Sequence, residues 1–212
     1  MIYTSAGDDD KAIADFTKAI ELNKATLKRN DVAISYFNRG TSYNHKEEYE
    51  NAIADFNKAI SLDPANIGFY RNRATAYFHT RNHKGEMADL NRALQQNSPK
   101  ASDYNSVAWF LATCPQADLR DGKRAVQNAT KACEMTNWKH GDYIDTLAAA
   151  YAEAGEFEQA VRREQEALQL PDMQSKQDEA KARVVLYQSR TPFREEGRDP
   201  PKPAPVISRE PR

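Results

Sequence analysis

The sequence lacks the features that identify most membrane, secreted and disulfide-bonded proteins. No apolar run in its 212 residues approaches the roughly 18 residues that span a bilayer. The first ten residues have neither the basic start nor the apolar stretch of a signal peptide. Two cysteines are too few for a disulfide framework, so we expect Cys114 and Cys133 to be free, mostly buried thiols. These absences predict a cytoplasmic protein.

Catalytic and metal-binding patterns are also missing. The chain has no glycine-rich phosphate-binding loop. Among its four histidines, His79 and His83 stand four residues apart, but no Cys, Asp or second His cluster sits beside them. The 30 basic and 31 acidic residues balance to a net charge of −1, which gives no reason to expect nucleic acid or a membrane surface as a partner. We therefore expect no metal, no cofactor and no enzymatic activity.

What the sequence does contain is a helical pattern over residues 33–64. Small and aromatic residues recur there at i, i+4 and i+7, which places each set on one face of a helix. One set belongs to a first helix and the other to a second helix: Tyr36, Gly40 and Tyr43, then Ala52, Phe56 and Ala59. The small residues predict close helix contact, and Asp63 with Pro64 predicts the N-cap and first turn of the next helix.

This stretch resembles a tetratricopeptide repeat, a helix–turn–helix unit of 34 residues. The pattern recurs 34 residues later, at Tyr70, Arg73, Ala74, Tyr77, Leu90 and Ala93. One position departs from it, because Glu86 stands where the first unit has Ala52. A carboxylate fits poorly into a close helix contact, so we expect a splayed hairpin or a Glu86 side chain that reaches water.

The resemblance implies an all-α fold, a right-handed α-solenoid of helix–turn–helix repeats with a C-terminal capping helix. The expected segments are a partial repeat at 1–32 with its second helix at 8–21, a solenoid over 33–172 made of repeats at about 33–66, 67–100, 101–139 and 140–172, a capping helix at 173–190 and a proline-rich tail at 191–212. Because the chain starts inside a repeat, we expect either a piece of a longer protein or a start that is set too late.

The stretch from Asn105 to Glu195 resembles a C-terminal module that closes repeat arrays in many bacterial proteins, some of which carry a kinase or another catalytic domain. Beyond it, the polar and proline-rich residues from Thr191 onward predict an extended or disordered tail. Its PPKPAP segment has two interpretations, a polyproline ligand or, as we favour, a solubilising linker.

In this family, partners are bound by the first helices, which line the concave side of the superhelix. Carried onto this chain, the resemblance implies a partner-binding set of Phe37, Asn38, Thr41, Asn44, His45, Arg71, Asn72, Thr75, Phe78, His79, Asn105 and Trp109, with Ser106 beside them. The alternative is that the polar members are only solvated and that Phe37 or Trp109 packs between repeats. The carboxylate clamp of chaperone-binding relatives is not expected, because only Asn72 matches it.

The predicted function is therefore that of a non-catalytic scaffold that binds a protein or peptide segment on its concave face. One alternative is a self-associating structural module, a homodimer formed through the unpaired helix at 8–21 and the end cap. Another is an interaction or regulatory module of a larger protein with a catalytic domain.

Overall fold

The structure is a computed structural model that describes residues 6–25 and 29–195. Within those residues it contains α-helices and short 3-10 helices and no strands. The helices are α1 (Ala6–Ala25), α2 (Arg29–His45), α3 (Tyr49–Leu62), α4 (Ile67–His79), α5 (His83–Leu94), α6 (Ala101–Thr113), α7 (Gly122–Met135), α8 (Gly141–Glu153), α9 (Phe157–Ala167) and α10 (Gln177–Gln188). Two 3-10 helices cover Ala117–Leu119 and Pro171–Lys176.

The helices stack in chain order as hairpins. The four pairs are α2 with α3, α4 with α5, α6 with α7, and α8 with α9; α1 lies against α2 and α10 lies against α9. The first helices of neighbouring hairpins also touch, α2 with α4 and α6 with α8. This is the paired-helix repeat that the sequence predicts, and the first helices α2, α4, α6 and α8 form one face of the stack.

Small residues bring the two helices of each hairpin together, as their spacing predicts. A Cβ atom on Gly40 would lie 2.8 Å from Cε1 of Phe56, so that ring fills the space a larger residue would need. Phe56, Ala52 and Ala59 are all fully buried. In the later hairpins the fully buried alanines of the second helices include Ala125, Ala129, Ala132, Ala160 and Ala167.

An ion pair repeats across the first two hairpins, and the sequence pattern did not reveal it. Arg39 on α2 donates two hydrogen bonds to Asp55 on α3, at 2.7 and 2.8 Å. Arg73 on α4 does the same to Asp89 on α5, at 2.8 and 2.7 Å. Each guanidinium also lies over two tyrosine rings of its own helix. The arginine that recurs therefore joins the two helices of its hairpin. We call each of these ion pairs an arginine clasp: Arg39 with Asp55, and Arg73 with Asp89.

Helices α4 and α7 each begin at a side chain that accepts a hydrogen bond from the backbone of the first turn, and the cap of α4 differs from the prediction. Asp63 ends α3 and its side chain accepts from the backbone N–H of Ala65, whereas the N-cap of α4 is Asn66, which accepts from Gly68. The prediction that Asp63 starts the next helix is therefore wrong. The N-cap of α7 is Asp121, whose side chain accepts from the backbone N–H of Arg124 at 2.9 Å.

The C-terminal end of the stack is closed by α10 and the 3-10 helix before it. Residues 173–190, predicted as one helix, divide into the end of the 3-10 helix Pro171–Lys176, α10 over Gln177–Gln188 and a turn. Met173 and Tyr187 are fully buried in this region. A Cβ on Gly141 would clash with Cγ of Met173, so the 3-10 helix packs directly on the start of α8.

Candidate partner-binding site

A cavity of about 400 Å³ opens between α4, α5 and α6, on the face formed by first helices. Its volume lies within the range of about 300–1,000 Å³ that is usual for ligand sites. The walls come from α4, α5, α6 and the C-terminal segment: Arg71, Ala74, Thr75, Phe78, Glu86, Leu90, Ala93, Ser102, Asp103, Asn105, Ser106, Trp109 and Glu195. We call this cavity the α4–α6 pocket.

The α4–α6 pocket brings together five residues of the predicted partner-binding set, together with Ser106. They are Arg71, Thr75 and Phe78 from α4 and Asn105 and Trp109 from α6. Thr75, Ser102 and Ser106 are exposed at its mouth. Five of the twelve predicted residues therefore meet at one cavity between the second and third hairpins.

The aromatic members of the set outside this pocket pack against other helices. The ring of Phe37 lies 5.0 Å from Phe69 and 5.9 Å from Phe56, centre to centre, which matches the alternative of packing between repeats. His79 stacks on Tyr49 with ring centres 4.2 Å apart. Neither ring lines the pocket.

The polar members from the first hairpin and from the start of α4 also lie outside the pocket. Asn44 donates to the backbone oxygen of Asn72 at 3.4 Å, which links α2 to α4, and Asn72 donates to Gly68 at 2.9 Å. Thr41 donates to the backbone of Phe37, and Asn38 is half-buried on α2. His45 lies 3.4 Å from Asp9 of α1 and so belongs to the contact between α1 and α2.

Arg71 is held by an ion pair instead of being free to meet a partner. Its guanidinium donates to both carboxylate oxygens of Asp103 on α6, at 2.6 and 2.7 Å. Asp103 is buried and also accepts from Gln96 and from the backbone of Lys100. The pair ties the second hairpin to the third, so it neutralises Arg71 and contributes to structure.

Residues 191–195 form an extended segment that returns to the stack, a placement that differs from the loose tail we expected. Phe193 lies 5.8 Å from Trp109, centre to centre, and the backbone N–H of Glu195 donates to the oxygen of Thr113 at 3.0 Å. The Glu195 carboxylate accepts from the indole N–H of Trp109. Residues 196–212, with the proline-rich PPKPAP, lie outside the described residues.

Glu86 is enclosed by the pocket. Its side chain is 12 % exposed, and Oε2 has no hydrogen-bond partner among the residues that the structure describes. Burial, and to a lesser extent the charge of Glu195, raises its pKa to about 8. Oε2 lies 3.5 Å from Nδ1 of His83, whose own pKa is lowered by burial and by Arg81. The sequence marked Glu86 only as a departure, and the structure places its side chain in the wall of the open pocket, largely but not fully buried.

A second cavity of about 340 Å³ lies on the other side of Trp109, against α8 and α10. Arg183 of α10 is buried there and donates to Asp145 at 2.9 Å and to Glu164 at 3.1 Å. Burial raises the pKa of both carboxyl groups. The Arg183 guanidinium also lies 5.9 Å from the centre of the Trp109 ring. This network joins the capping helix α10 to α8 and α9, and it places a guanidinium against the Trp109 ring.

The thiols and the possible metal ligands add no further site within the described ranges. Cys114 and Cys133 are free and buried, as predicted, and burial raises the pKa of Cys133 to about 12. Over residues 6–25 and 29–195 no group of three or more His, Cys, Asp or Glu side chains could hold a metal ion. No helix in that part of the chain is both long enough and apolar enough to cross a membrane.

Comparison with known proteins identifies the repeat and the fold. Residues 33–66 and residues 1–26 match two family models that are both described as tetratricopeptide repeat. Among solved structures, YrrB, described as a TPR protein with an unusual peptide-binding site, matches with a TM-score of 0.61 and 20% identity over 82% of this chain and 84% of that chain. MamA matches with a TM-score of 0.59 and 21% identity over 85% of this chain and 99% of that chain. No curated protein matches the chain.

Proposed function

We propose that this chain, which is a tetratricopeptide-repeat protein, is a non-catalytic scaffold that binds an extended segment of a partner protein in the α4–α6 pocket. The single observation that carries this proposal is the pocket itself, a cavity of about 400 Å³ on the face of first helices. Proteins built from this repeat are generally interaction modules. The partner is a protein, with no role for nucleic acid or a membrane.

The chain's own C-terminal segment supports an extended ligand. Residues 191–195 lie without regular secondary structure against α6, one aromatic ring meets Trp109, and the backbone of Glu195 bonds to Thr113. A partner segment in the neighbouring pocket has the same kinds of contact available, an aromatic wall and polar groups at the mouth. The peptide-binding site named for YrrB is a further reason to test peptides first.

The test begins with a random peptide library displayed on phage and selected against the immobilised full chain. The strongest peptide is then labelled with fluorescein, and its affinity for each variant is measured by anisotropy. We expect Ser106→Arg to weaken binding by about tenfold or more, because the long side chain fills the mouth of the pocket. Ser106 is exposed, so the fold tolerates the change.

The matched control is Gln127→Arg, which adds the same side chain at an exposed position of α7 that does not line the pocket. We expect its affinity for the peptide to equal that of the wild type. Equal losses in both variants would overturn the proposal, and so would full binding by Ser106→Arg.

Self-association is the second candidate function. The observation in its favour lies at the first helix: α1 packs on α2, while Leu22 of α1 is 68% exposed and Ile34 of α2 is 45% exposed. Light scattering during size-exclusion chromatography distinguishes the candidates, because a dimer that Leu22→Glu converts to a monomer favours self-association. A monomer at all concentrations removes it. A role as the interaction module of a larger protein with a catalytic domain is compatible with either outcome.

A further inference from the structure

The lining of the α4–α6 pocket has more acidic than basic side chains. The one arginine among the lining residues, Arg71, is paired with Asp103 through two hydrogen bonds. Glu86 and Glu195 are the two other acidic side chains in the wall, and Glu195 accepts a hydrogen bond from the Trp109 indole. No lysine or arginine contributes to the pKa of Glu86, whose shift comes from burial and from Glu195.

Two polar atoms of the wall are buried without a hydrogen-bond partner among the described residues: Oε2 of Glu86 and Oδ1 of Asn105. The ionised Glu86 carboxylate and the Asn105 amide oxygen are hydrogen-bond acceptors, and the nearest possible donor within the chain is Nδ1 of His83, 3.5 Å from Oε2 of Glu86. A donor group from a ligand would satisfy both atoms. A small cavity of about 20 Å³ beside Glu86 is lined by His83, Phe110 and Cys114 among others, and it is too small for a ligand side chain. A donor must enter from the mouth and must be long enough to reach the floor.

The remaining walls suit a cation. Phe78 and Trp109 present aromatic rings to the pocket, and aromatic rings attract cations. The molecule already uses this contact on the other side of Trp109, where Arg183 lies 5.9 Å from the ring centre. A planar guanidinium could therefore pair with the carboxylate of Glu86 and lie against the aromatic wall.

We propose that the α4–α6 pocket selects partners with a basic side chain, arginine in preference to lysine, which inserts between Phe78 and Trp109 and pairs with Glu86. This rests on the proposed function and names the chemistry of the segment bound there. The departure of Glu86 from the small residue of the repeat is then the feature that gives this chain its specificity.

Binding of a cation should depend on pH. The groups that face Glu86 are His83 on its own helix, Glu195 in the C-terminal segment, Cys114 at the end of α6 and the pair of Arg71 with Asp103. The carboxyl group of Glu86 has a pKa of about 8, so at lower pH a cation must displace its proton. Affinity should rise with pH up to that value, by at most about tenfold per pH unit.

The experiment uses Nα-acetyl-L-arginine amide as the probe and the indole N–H resonance of Trp109 in the ¹⁵N-labelled full chain as the readout. Trp109→Phe assigns that resonance against the other tryptophan, Trp138. We expect saturable shifts with the arginine amide, weaker binding by the lysine amide and at least tenfold weaker binding by the citrulline amide, which has a similar shape and no charge. Affinity for the arginine amide should increase between pH 6 and pH 8.

Glu86→Gln should abolish the preference for arginine over citrulline and the dependence on pH. Glu50→Gln, which removes an exposed carboxylate from the first turn of α3, should change neither. Equal binding of the arginine and citrulline amides by the wild type would overturn the proposal, and this test does not depend on the folding of any variant. If a library-selected peptide still requires an open pocket in that case, the binding function stands and the basic specificity fails.

Discussion

The hairpin of α2 with α3 and the hairpin of α4 with α5 are built on one pattern and differ at one decisive position. Both have the arginine clasp, Arg39 with Asp55 and Arg73 with Asp89. In the first, Ala52 is fully buried in the helix contact, whereas in the second Glu86 occupies that position and borders a cavity of about 400 Å³. The shared residues hold both hairpins together, and at the differing position a carboxyl group borders the cavity.

The largest effect should come from imposing the second hairpin's residue on the first. Ala52→Glu places a carboxylate in a tight helix contact, because Ala52 and Phe56 are fully buried and the Phe56 ring lies close to Gly40 of the facing helix. We expect a loss of about 4 kcal/mol or more in the free energy of unfolding, measured by urea denaturation with circular dichroism. A variant within about 1 kcal/mol of the wild type would show that the first hairpin has room for a carboxylate.

The next largest effect on the free energy of unfolding concerns Phe56 and Leu90, the large core residues at equivalent positions of the two hairpins. Phe56→Ala should cost about 3–5 kcal/mol, and Leu90→Ala should fall near 2 kcal/mol, at the low end of its class. The reason is that Phe56 is fully buried, whereas Leu90 lines the pocket, where the space left behind joins a cavity that is already present. Urea denaturation of both variants measures the difference, and equal losses would contradict it.

The clasps should be equivalent in the two hairpins. Asp55→Ala and Asp89→Ala each leave a partly buried guanidinium without its acceptor, and we expect each to cost about 1.5–3 kcal/mol. Their urea midpoints should therefore agree. A large difference between them would mean that the open pocket beside α5 also weakens the clasp.

The smallest effect is the pH dependence that Glu86 gives to the free energy of unfolding. The pKa of Glu86 is raised from 4.5 to about 8 on folding, so the folded state holds a proton that the unfolded state releases. Its contribution to stability is present below pH 4.5 and is lost as the pH rises through 8. Relative to the wild type, Glu86→Gln should become more stable between pH 5 and pH 9, by roughly 1–3 kcal/mol. A constant difference across that range would contradict the burial of Glu86.

Much of the fold could be predicted from the sequence, because the core positions recur with the period of the repeat. The period of 34 residues located the paired small and aromatic residues, which the structure buries against one another. The clasps were missed because an aspartate 16 residues from its arginine gives no signal on one helical face. The cap of α4 was misassigned because Asp63 is followed by proline, although Asn66 three residues later accepts the bond.

The site was less predictable, since its parts come from distant places in the sequence. Positions inherited from the family placed Thr75, Phe78, Asn105 and Trp109 around one pocket, but they also included Phe37 and His79, whose rings pack against other helices. Glu195 reaches Trp109 across 86 residues, a contact that no periodicity indicates. Glu86 was visible only as a break in the pattern, and its role depends on the cavity beside it.

Mapping of backbone amide shifts tests the proposed site most directly, with the library-selected peptide titrated into the ¹⁵N-labelled chain. We expect the shifts to concentrate on α4 and α6, at Thr75, Ser106 and the Trp109 indole, while α3 and α7 stay unchanged. Shifts that concentrate instead on α1 or on the second helices α3 and α7 would contradict binding in the α4–α6 pocket, whose wall includes Glu86 and Leu90 of α5.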